Sequence, residues 1–442
     1  MIEKLKRREL FLPICLGILF GLIYFKLPLK LFTFLFIGML VAILTLYNIK
    51  IGIIISIFAY PYMPDILNLL FMIFIFFAFI YRGIFRKINP LTKDPIDVPI
   101  AIFVLVIIMS TITSVSPGGS FRDLALHLIS ISFVFVIINT INDKEDLNNI
   151  FVVLVMTGTL VALYGIYQYN IKIDMEAKWL DAANNEGITT RVFSVFGNPN
   201  ILAEYLVMIT PISVAMFWSS KKMYKKFIFL ITSLILVASL VLTFSRGGWL
   251  GFAIGMLIFI FLVEKRLLLL LIPVALIAVN FLPSSIVNRI TSIKNLSDSS
   301  NSYRIRLWKI TLELIRDNLP IGVGFGHLPF KKIFETYTRA MPTYHSHNTY
   351  LQVMAEMGII GIVVLFTFII VFYKYSIKEL IKEEDKWVKT MTAGIISGLG
   401  AIFVHGVVEN IFYMPKIITT FWILVSFILV LIRIPKNPEE IS

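Results

Sequence analysis

His345 and His347 stand one residue apart in the segment HSHNTYLQVMAEMGIIG, just before a long apolar stretch. The chain has only five histidines, so this close pair is the first candidate for chemistry. Because an unperturbed imidazole titrates near neutral pH, His347 is a candidate general base. Two alternatives stay open. His347 could be an interfacial residue without chemistry, or the pair could hold zinc with further ligands such as His327 or Glu335.

The residues after His347 predict the start of a membrane helix. Asn348 is a candidate N-cap, since its short side chain can accept a hydrogen bond from the first turn. Thr349, Gln352 and Glu356 share one helical face. An amide and a carboxylate at this depth are costly in lipid, so we expect them to face a cavity and to support the histidine.

Three arginines lie near predicted helix ends and could bind an anionic group. Arg246 stands between two apolar stretches in SRGGWLG, where Gly247 and Gly248 could let a substrate approach. Arg304 begins a polar helix face, and Arg191 precedes the turn GNPN. A guanidinium binds phosphate bidentately, which predicts a phosphate or diphosphate site. The alternatives are that Arg246 snorkels to the interface and that Arg304 is a solvated charge.

Composition sets the class of protein that positions these residues. The 442 residues are 58% hydrophobic and 15% charged, with a mean hydropathy of +0.87. Soluble domains are roughly 25% charged, so the chain is predicted to be an integral membrane protein. Its apolar runs lack strict alternation, which excludes a β-barrel and favours an all-α bundle of about 12–14 spans. The net charge of +13 is spread over short loops and does not indicate nucleic acid.

Two further patterns bear on metal sites and disulfides. The single cysteine, Cys15, excludes an intrachain disulfide and a cysteine-based metal site. His405 and Glu409 have the i, i+4 spacing that some metalloproteases use, but the second histidine of HExxH is absent. The spacing therefore predicts a structural pair rather than a metal site.

The apolar runs predict fourteen candidate spans, of which the pair between residues 51 and 81 is the least regular. They cover residues 10–25, 31–47, 51–62, 64–81, 98–115, 122–140, 149–169, 200–218, 226–244, 247–263, 267–283, 347–373, 388–409 and 415–432. The predicted organisation is an N-terminal transmembrane bundle (1–283), an extracytoplasmic loop (284–346) and C-terminal transmembrane helices (347–442).

The long loop contains a predicted amphipathic helix. Its 3-4-3-4 spacing predicts one apolar stripe, formed by Ile305, Trp308, Leu312, Ile315 and Leu319. Ser302 is a candidate N-cap, and Pro320 follows the last turn. Lysine- and arginine-rich short loops alternate along the chain and predict cytoplasmic termini. This topology places the three arginines and His347 together on the extracytoplasmic side.

These residues resemble the motifs of the O-antigen ligase and O-antigen polymerase family. Family members carry Arg four residues before Leu, a second Arg four residues before Trp, and His-Asn followed after nine residues by Gly-x-x-Gly. The matching residues are Arg246 with Leu250, Arg304 with Trp308, and His347 with Asn348, Gly358 and Gly361. The resemblance covers about residues 190–205 and 240–361, and its motifs occur in order on one predicted membrane side.

The resemblance implies a membrane glycosyltransferase with a type C-like fold. It also implies that the enzyme uses no metal and no cofactor. It implies a donor glycan linked to undecaprenyl diphosphate and an inverting reaction at the periplasmic face of the bacterial inner membrane. His347 would take the proton of the acceptor hydroxyl. Arg246 and Arg304, with Arg191 nearby, would stabilise the departing diphosphate.

The identity of the acceptor is left open at this point. A ligase would join a finished polysaccharide to a sugar of the lipid A-core, whereas a polymerase would join lipid-linked repeat units. A relative that glycosylates proteins would share the same motifs. A polysaccharide flippase or transporter is the candidate from another class, but it is expected to show repeated halves, which this sequence lacks. Membrane lipids are expected partners in every case.

Overall fold

The computed structural model describes residues 24–86, 95–173, 190–270, 283–291 and 299–434, with the single positions 17, 21, 273 and 280. These residues form helices and no strand. The α-helices are α1 Leu29–Tyr47, α2 Ile49–Ala59, α3 Asp65–Arg86, α4 Asp97–Ile112, α5 Pro117–Thr140, α6 Lys144–Asn170, α7 Pro199–Ser219, α8 Met223–Leu242, α9 Arg246–Val263, α10 Ser284–Thr291, α11 Ser299–Asp317, α12 His327–Tyr337, α13 Thr349–Lys382, α14 Lys386–His405 and α15 Pro415–Arg433. Short 3₁₀ helices cover Ser194–Phe196 and Lys265–Leu267.

The prediction of an all-α polytopic membrane protein is confirmed. Among the described residues, ten helices are long and apolar enough to cross a membrane, and α2 and α4 are shorter apolar helices. The irregular stretch between residues 51 and 81 is two helices, α2 and α3, separated by a turn at PYMPD. The predicted spans 10–25 and 267–283 lie mostly outside the described residues.

The chain forms two compact units, Met1–Ile55 and Ser56–Ser442, while the predicted three-part division stays a prediction. Within the second unit, α7, α14 and α15 are almost completely buried and form its centre. Small residues allow α14 to approach its neighbours closely. A Cβ atom at Gly398 would lie 2.5 Å from the carbonyl oxygen of Met208 on α7, so this position requires glycine.

The loop between α9 and α13 carries three helices, α10 to α12, and the predicted amphipathic helix corresponds to α11. The predicted apolar stripe of α11 is partly wrong, because Leu312 and Leu319 are 52% and 43% exposed. The buried face instead contains Leu307, Leu314 and Ile315. Leucine and isoleucine occur on two adjacent faces of this helix, and its packing against α12 and α13 selects the second face. The helix also begins at Ser299 rather than at the predicted cap, Ser302.

The helix predicted over residues 347–373 is confirmed as α13, but it is kinked at Gly358. This residue has φ +62°, which is a left-handed conformation that favours glycine. The kink brings the backbone against the segment after α11, where the N–H of Ile359 donates to the carbonyl of Pro320 at 3.1 Å. A Cβ atom at Gly358 would collide with the same carbonyl group, so the family glycine has a steric cause here.

Candidate functional site

His347 forms a hydrogen-bonded pair with the carboxylate of Glu409, which is distant from it in the sequence. Its Nδ1 atom lies 2.6 Å from Oε1 of Glu409, in the turn that follows α14. The backbone of His347 has φ +50°, a strained conformation of the kind that clusters at functional sites. If Nδ1 carries the proton donated to Glu409, Nε2 keeps the lone pair that a general base needs. The side chain is 26% exposed, so the ring is only partly covered by protein.

The polar face of α13 holds the loop that carries His347. The Gln352 side chain accepts a hydrogen bond from the N–H of Ser346 at 2.7 Å and donates one to Glu356 at 2.7 Å. Glu356 in turn accepts from the N–H of Gly326 at 2.9 Å. Trp308 on α11 donates its indole N–H to the carbonyl of Ser346 at 3.0 Å. The predicted supporting residues therefore fix loops by hydrogen bonds.

The first turn of α13 also fixes the segment that carries Glu409. The prediction that Asn348 caps α13 is confirmed, because its Oδ1 accepts from two backbone N–H groups at 2.9 and 3.0 Å. Its Nδ2 donates to the carbonyl of Val407 at 2.8 Å. Thr349 donates its hydroxyl to the carbonyl of Glu409 at 2.9 Å. The histidine and its carboxylate are therefore held by the same helix start.

Glu409 is buried and connects the base to the cationic residues of the site. Its Oε2 accepts from Nδ2 of Asn200 at 3.2 Å and lies 3.8 Å from Nη2 of Arg304. Its Oε1 lies 3.8 Å from Nδ1 of His345. Burial raises the pKa of this carboxyl, but the charge and hydrogen bond of His347, with His345 and Arg304, outweigh burial and lower the pKa overall. Glu409 is therefore ionised at neutral pH.

Four arginines from separate segments form a cluster beside this carboxylate. The predicted residues Arg191, Arg246 and Arg304 are joined by Arg289 of α10. Burial, together with the charges of the other three, lowers the pKa of Arg191 to about 9, so the other three guanidinium groups lie close enough to act on Arg191. Nη2 of Arg191 also donates to Oδ1 of Asn200 at 3.2 Å. Because Asn200 also donates to Glu409, the arginine cluster and the base belong to one network.

The turn between α8 and α9 organises the arginine cluster. The carbonyl of Thr243 accepts from Nε of Arg191 at 2.9 Å, and the carbonyl of Phe244 accepts from Nε of Arg289 at 3.1 Å. Phe244 has φ +50°, which reverses the chain between the two helices. Arg246 is the first residue of α9, so its charge adds to the positive end of the helix dipole. This arrangement suits an anion.

Close packing explains why Gly247 and Gly248 are glycines. A Cβ atom at Gly247 would lie 2.5 Å from Cγ2 of Val408, and one at Gly248 would lie 2.7 Å from Cβ of Ala203. Larger residues would push α9 away from α7 and from the segment after α14, and would displace Arg246 with it. The predicted approach of substrate to these glycines stays a prediction.

Three residues of the network, Glu409, Arg289 and Asn200, are absent from the sequence-based site. The i, i+4 spacing predicts that Glu409 pairs with His405, which is wrong, because Glu409 bonds His347 instead. Nδ1 of His405 has no hydrogen-bond partner among the described residues. Only the cost of placing a carboxylate at a membrane helix end signals Glu409 in the sequence. Arg289 carries no such signal, because it lies in a short helix without a motif.

The two histidines and Glu409 also form the only described group whose donor atoms could hold a metal ion, since those atoms lie within 4.8 Å of one another. The further ligands considered from sequence are elsewhere: His327 bonds Asp123 at 2.7 Å, and Glu335 pairs with Lys331 at 3.8 Å. The short His347–Glu409 bond uses donor atoms that a metal would need. Neighbouring guanidinium groups also repel a cation.

We expect removal of metal ions to leave the rate of the reaction unchanged. Reconstituted protein treated with EDTA and then dialysed should work as fast as untreated protein, because the arginines supply the positive charge. A matched sample with zinc added back controls for chelator effects on the membrane. A loss of rate that zinc restores would instead assign His345, His347 and Glu409 to a metal centre.

Residues 228–366 match the family model described as O-antigen ligase. This segment contains Arg246, Arg289, Arg304 and His347, whereas Arg191 and Glu409 lie outside it. Over this segment the chain is similar to the O-antigen ligase family. The match of the family model therefore covers most of the arginine cluster and the base, and the rest of the network comes from flanking segments.

Similar proteins occur in several bacteria. A Rickettsia prowazekii protein provisionally named as a polysaccharide ligase is 27% identical over 279 residues, which cover 58% of this chain and 64% of that protein. The teichuronic acid biosynthesis protein TuaE of Bacillus subtilis is 22% identical over 346 residues, 72% of this chain and 67% of its own. The exopolysaccharide production protein ExoQ of Rhizobium meliloti is 28% identical over 120 residues, 25% and 27% of the two chains.

Proposed function

We propose that this protein acts as a member of the O-antigen ligase family, as a glycosyltransferase that moves a polysaccharide from undecaprenyl diphosphate to a hydroxyl group of an acceptor. The favoured acceptor is a sugar of the lipid A-core. The observation that carries the proposal is the His347–Glu409 pair, which Asn200 and Arg304 connect to the arginine cluster. A base beside a strong anion site is what this transfer needs.

The geometry supports a single inverting displacement. Nε2 of His347 would take the proton of the acceptor hydroxyl while the oxygen attacks the anomeric carbon of the donor sugar. The bond from that carbon to the diphosphate oxygen breaks, and undecaprenyl diphosphate leaves with the electron pair. Glu409 would stabilise the imidazolium that forms, as the carboxylate does in a serine–histidine–aspartate triad. The arginine cluster would stabilise the growing negative charge on the diphosphate.

We place this reaction at the extracytoplasmic face of the inner membrane. The base and the arginines lie at one end of α7, α8 and α14. The lysine-rich turn at 220–226 lies at the other end of α7 and α8. By the positive-inside rule the lysine-rich end faces the cytoplasm, which supports an external reaction site. A lipid-linked donor in the outer leaflet would reach the arginine cluster from the membrane.

A polymerase of lipid-linked repeat units is the second candidate. Two relatives are named for teichuronic acid biosynthesis and exopolysaccharide production, which supports polymer synthesis. Protein glycosylation would use the same base and cluster. Vesicles that contain purified protein, labelled donor and either lipid A-core or a second lipid-linked repeat unit would separate these candidates. One transfer to lipid A-core supports the ligase, a ladder of repeat units supports the polymerase, and movement of donor without any transfer contradicts an enzyme.

We expect Arg246→Lys and Arg289→Lys each to lower transfer by about 10-fold or more, because an ammonium cannot bind diphosphate bidentately. Loss of a whole stabilising group typically costs about 10²–10³-fold in kcat, so the alanine variants should be worse. The measurement is the initial rate at several donor concentrations. Arg339→Lys, at an exposed loop arginine, is the matched control. Full activity of Arg246→Lys would support the interpretation that Arg246 only snorkels.

A further inference from the structure

A cavity of about 720 Å³ lies between α6 and α8, at the ends of these helices opposite the candidate site. Lys144 and Lys225, at the starts of α6 and α8, line it, as does Trp387 at the start of α14. The site described above lies at the other ends of α8 and α14. Helices of this length put about 30 Å between the two places. Nothing in the proposed transfer uses this cavity.

The mouth of the cavity is strongly basic. Its described lining contains four lysines and no carboxylate: Lys144, Lys221, Lys222 and Lys225. Lys144 is paired with Asp385, and the other three side chains are exposed around the start of α8. The first turn of α8 holds no acidic residue, so the positive end of its dipole adds to the lysine charges. An anionic group bound at the mouth would offset the repulsion between these positive charges.

Below the lysines the cavity wall is apolar. Val152, Met156 and Leu160 repeat every four residues on one face of α6, and Ile228 lies on α8 across from them. Met156 and Leu160 are 46% and 43% exposed, so this wall is open rather than filled by protein. The apolar rise from Val152 to Leu160 is about 12 Å, close to the ~15 Å of one leaflet of a bilayer. The cavity thus has a depth and a distribution of polarity that suit one amphiphilic lipid molecule.

Two aromatic side chains mark the membrane level of the mouth. Tyr224 and Trp387 line the cavity beside the lysines, and Nζ of Lys144 lies 5.2 Å from the centroid of the Trp387 ring. Tryptophan and tyrosine are enriched at the headgroup level of membranes, and short lysine-rich turns are enriched on the cytoplasmic side. The mouth therefore lies where lipid headgroups of the cytoplasmic leaflet lie.

We propose that this cavity binds one anionic phospholipid of the cytoplasmic leaflet. Its phosphate lies among Lys221, Lys222 and Lys225, and an acyl chain lies along the apolar wall of α6 and α8. Basic pockets between membrane helices on this side are suited to anionic headgroups. The open apolar wall distinguishes a lipid from a soluble phosphate. This site is independent of the proposed transfer and remains valid if the reaction is different.

The test is retention of phosphatidylglycerol by the purified full-length protein in native mass spectrometry, with phosphatidylcholine as the neutral probe. Wild type should retain one phosphatidylglycerol selectively. The variant Lys221→Glu/Lys222→Glu/Lys225→Glu should retain it about 10²-fold less tightly, since each surface lysine contributes to anionic lipid binding. Inorganic phosphate at millimolar concentration should not displace the lipid. Displacement would show that the site binds only the phosphate group and not the acyl chain, which would overturn the proposal.

Two further variants keep the result interpretable. Lys265→Glu/Lys374→Glu/Lys378→Glu reverses three exposed lysines toward the same ends of the helices but outside the cavity, and should retain the lipid. Met156→Trp leaves the charges in place, fills the apolar wall, and should lose lipid by about 10-fold. Equal retention by wild type and the cavity triple variant, or equal loss in the outside triple variant, would overturn the proposal.

Discussion

Replacing His347 by alanine is expected to lower the rate of glycan transfer by about 10²–10⁴-fold, the usual contribution of a positioned general base. The reason is geometric: Nδ1 of His347 is held at 2.6 Å by Glu409, which leaves Nε2 for the acceptor hydroxyl. The measurement is single-turnover transfer from undecaprenyl-diphosphate-linked glycan in vesicles at saturating donor.

His345→Ala is the matched control for that experiment. Burial, followed by the charge of His347, lowers the pKa of His345 to about 3, so this imidazole stays neutral at working pH. Its Nδ1 already accepts the N–H of His347 at 3.3 Å. We therefore expect a loss of less than about 10-fold, as for a lost neutral hydrogen bond. A larger loss in His345→Ala than in His347→Ala would reverse the assignment of the base.

Replacing Glu409 by glutamine is expected to have a comparably large effect, a loss of about 10²–10⁴-fold in the transfer rate. The amide has nearly the same shape but carries no charge, so it neither stabilises an imidazolium nor selects the tautomer of His347. It also removes the partner of Arg304 at 3.8 Å. The measurement is the same single-turnover rate, with thermal unfolding recorded in parallel to detect a loss of fold.

Two further carboxylate variants test whether the position of the Glu409 carboxylate matters as well as its charge. Glu409→Asp keeps the charge but shortens the side chain, so activity between wild type and Glu409→Gln is expected. Glu335→Gln, at a loop carboxylate that pairs with Lys331, should leave the rate unchanged. If Glu409→Gln transfers as fast as wild type while it binds donor normally, the carboxylate has no part in orienting the base.

Local patterns predicted the parts of the site that local chemistry controls. The cap at Asn348 follows from short-range hydrogen bonding, and it is present. The length of the apolar runs predicted most of the membrane helices. The spacing of Arg304 and Trp308 is explained by one helical turn, because Trp308 bonds the histidine loop while Arg304 reaches Glu409.

Long-range packing decided what the sequence left open. Glu409 is 62 residues from His347, and only the crossing of α13 with the end of α14 brings them together. Which face of α11 is buried depends on its packing against α12 and α13. The hydrophobic spacing within α11 does not indicate this packing. The kink at Gly358 likewise depends on close packing against a backbone carbonyl group of another segment. Such features arise from tertiary contacts, so neither spacing nor propensity predicts them.

We propose that a base and a diphosphate-binding arginine cluster form one site with separable roles. Binding of undecaprenyl diphosphate to purified wild type, His347→Ala and Arg246→Ala tests it most directly. We expect that His347→Ala binds as tightly as wild type while Arg246→Ala binds at least about 10-fold more weakly, because a charge-assisted bidentate contact is lost. Equal affinity of Arg246→Ala and wild type, or a loss confined to His347→Ala, would contradict it.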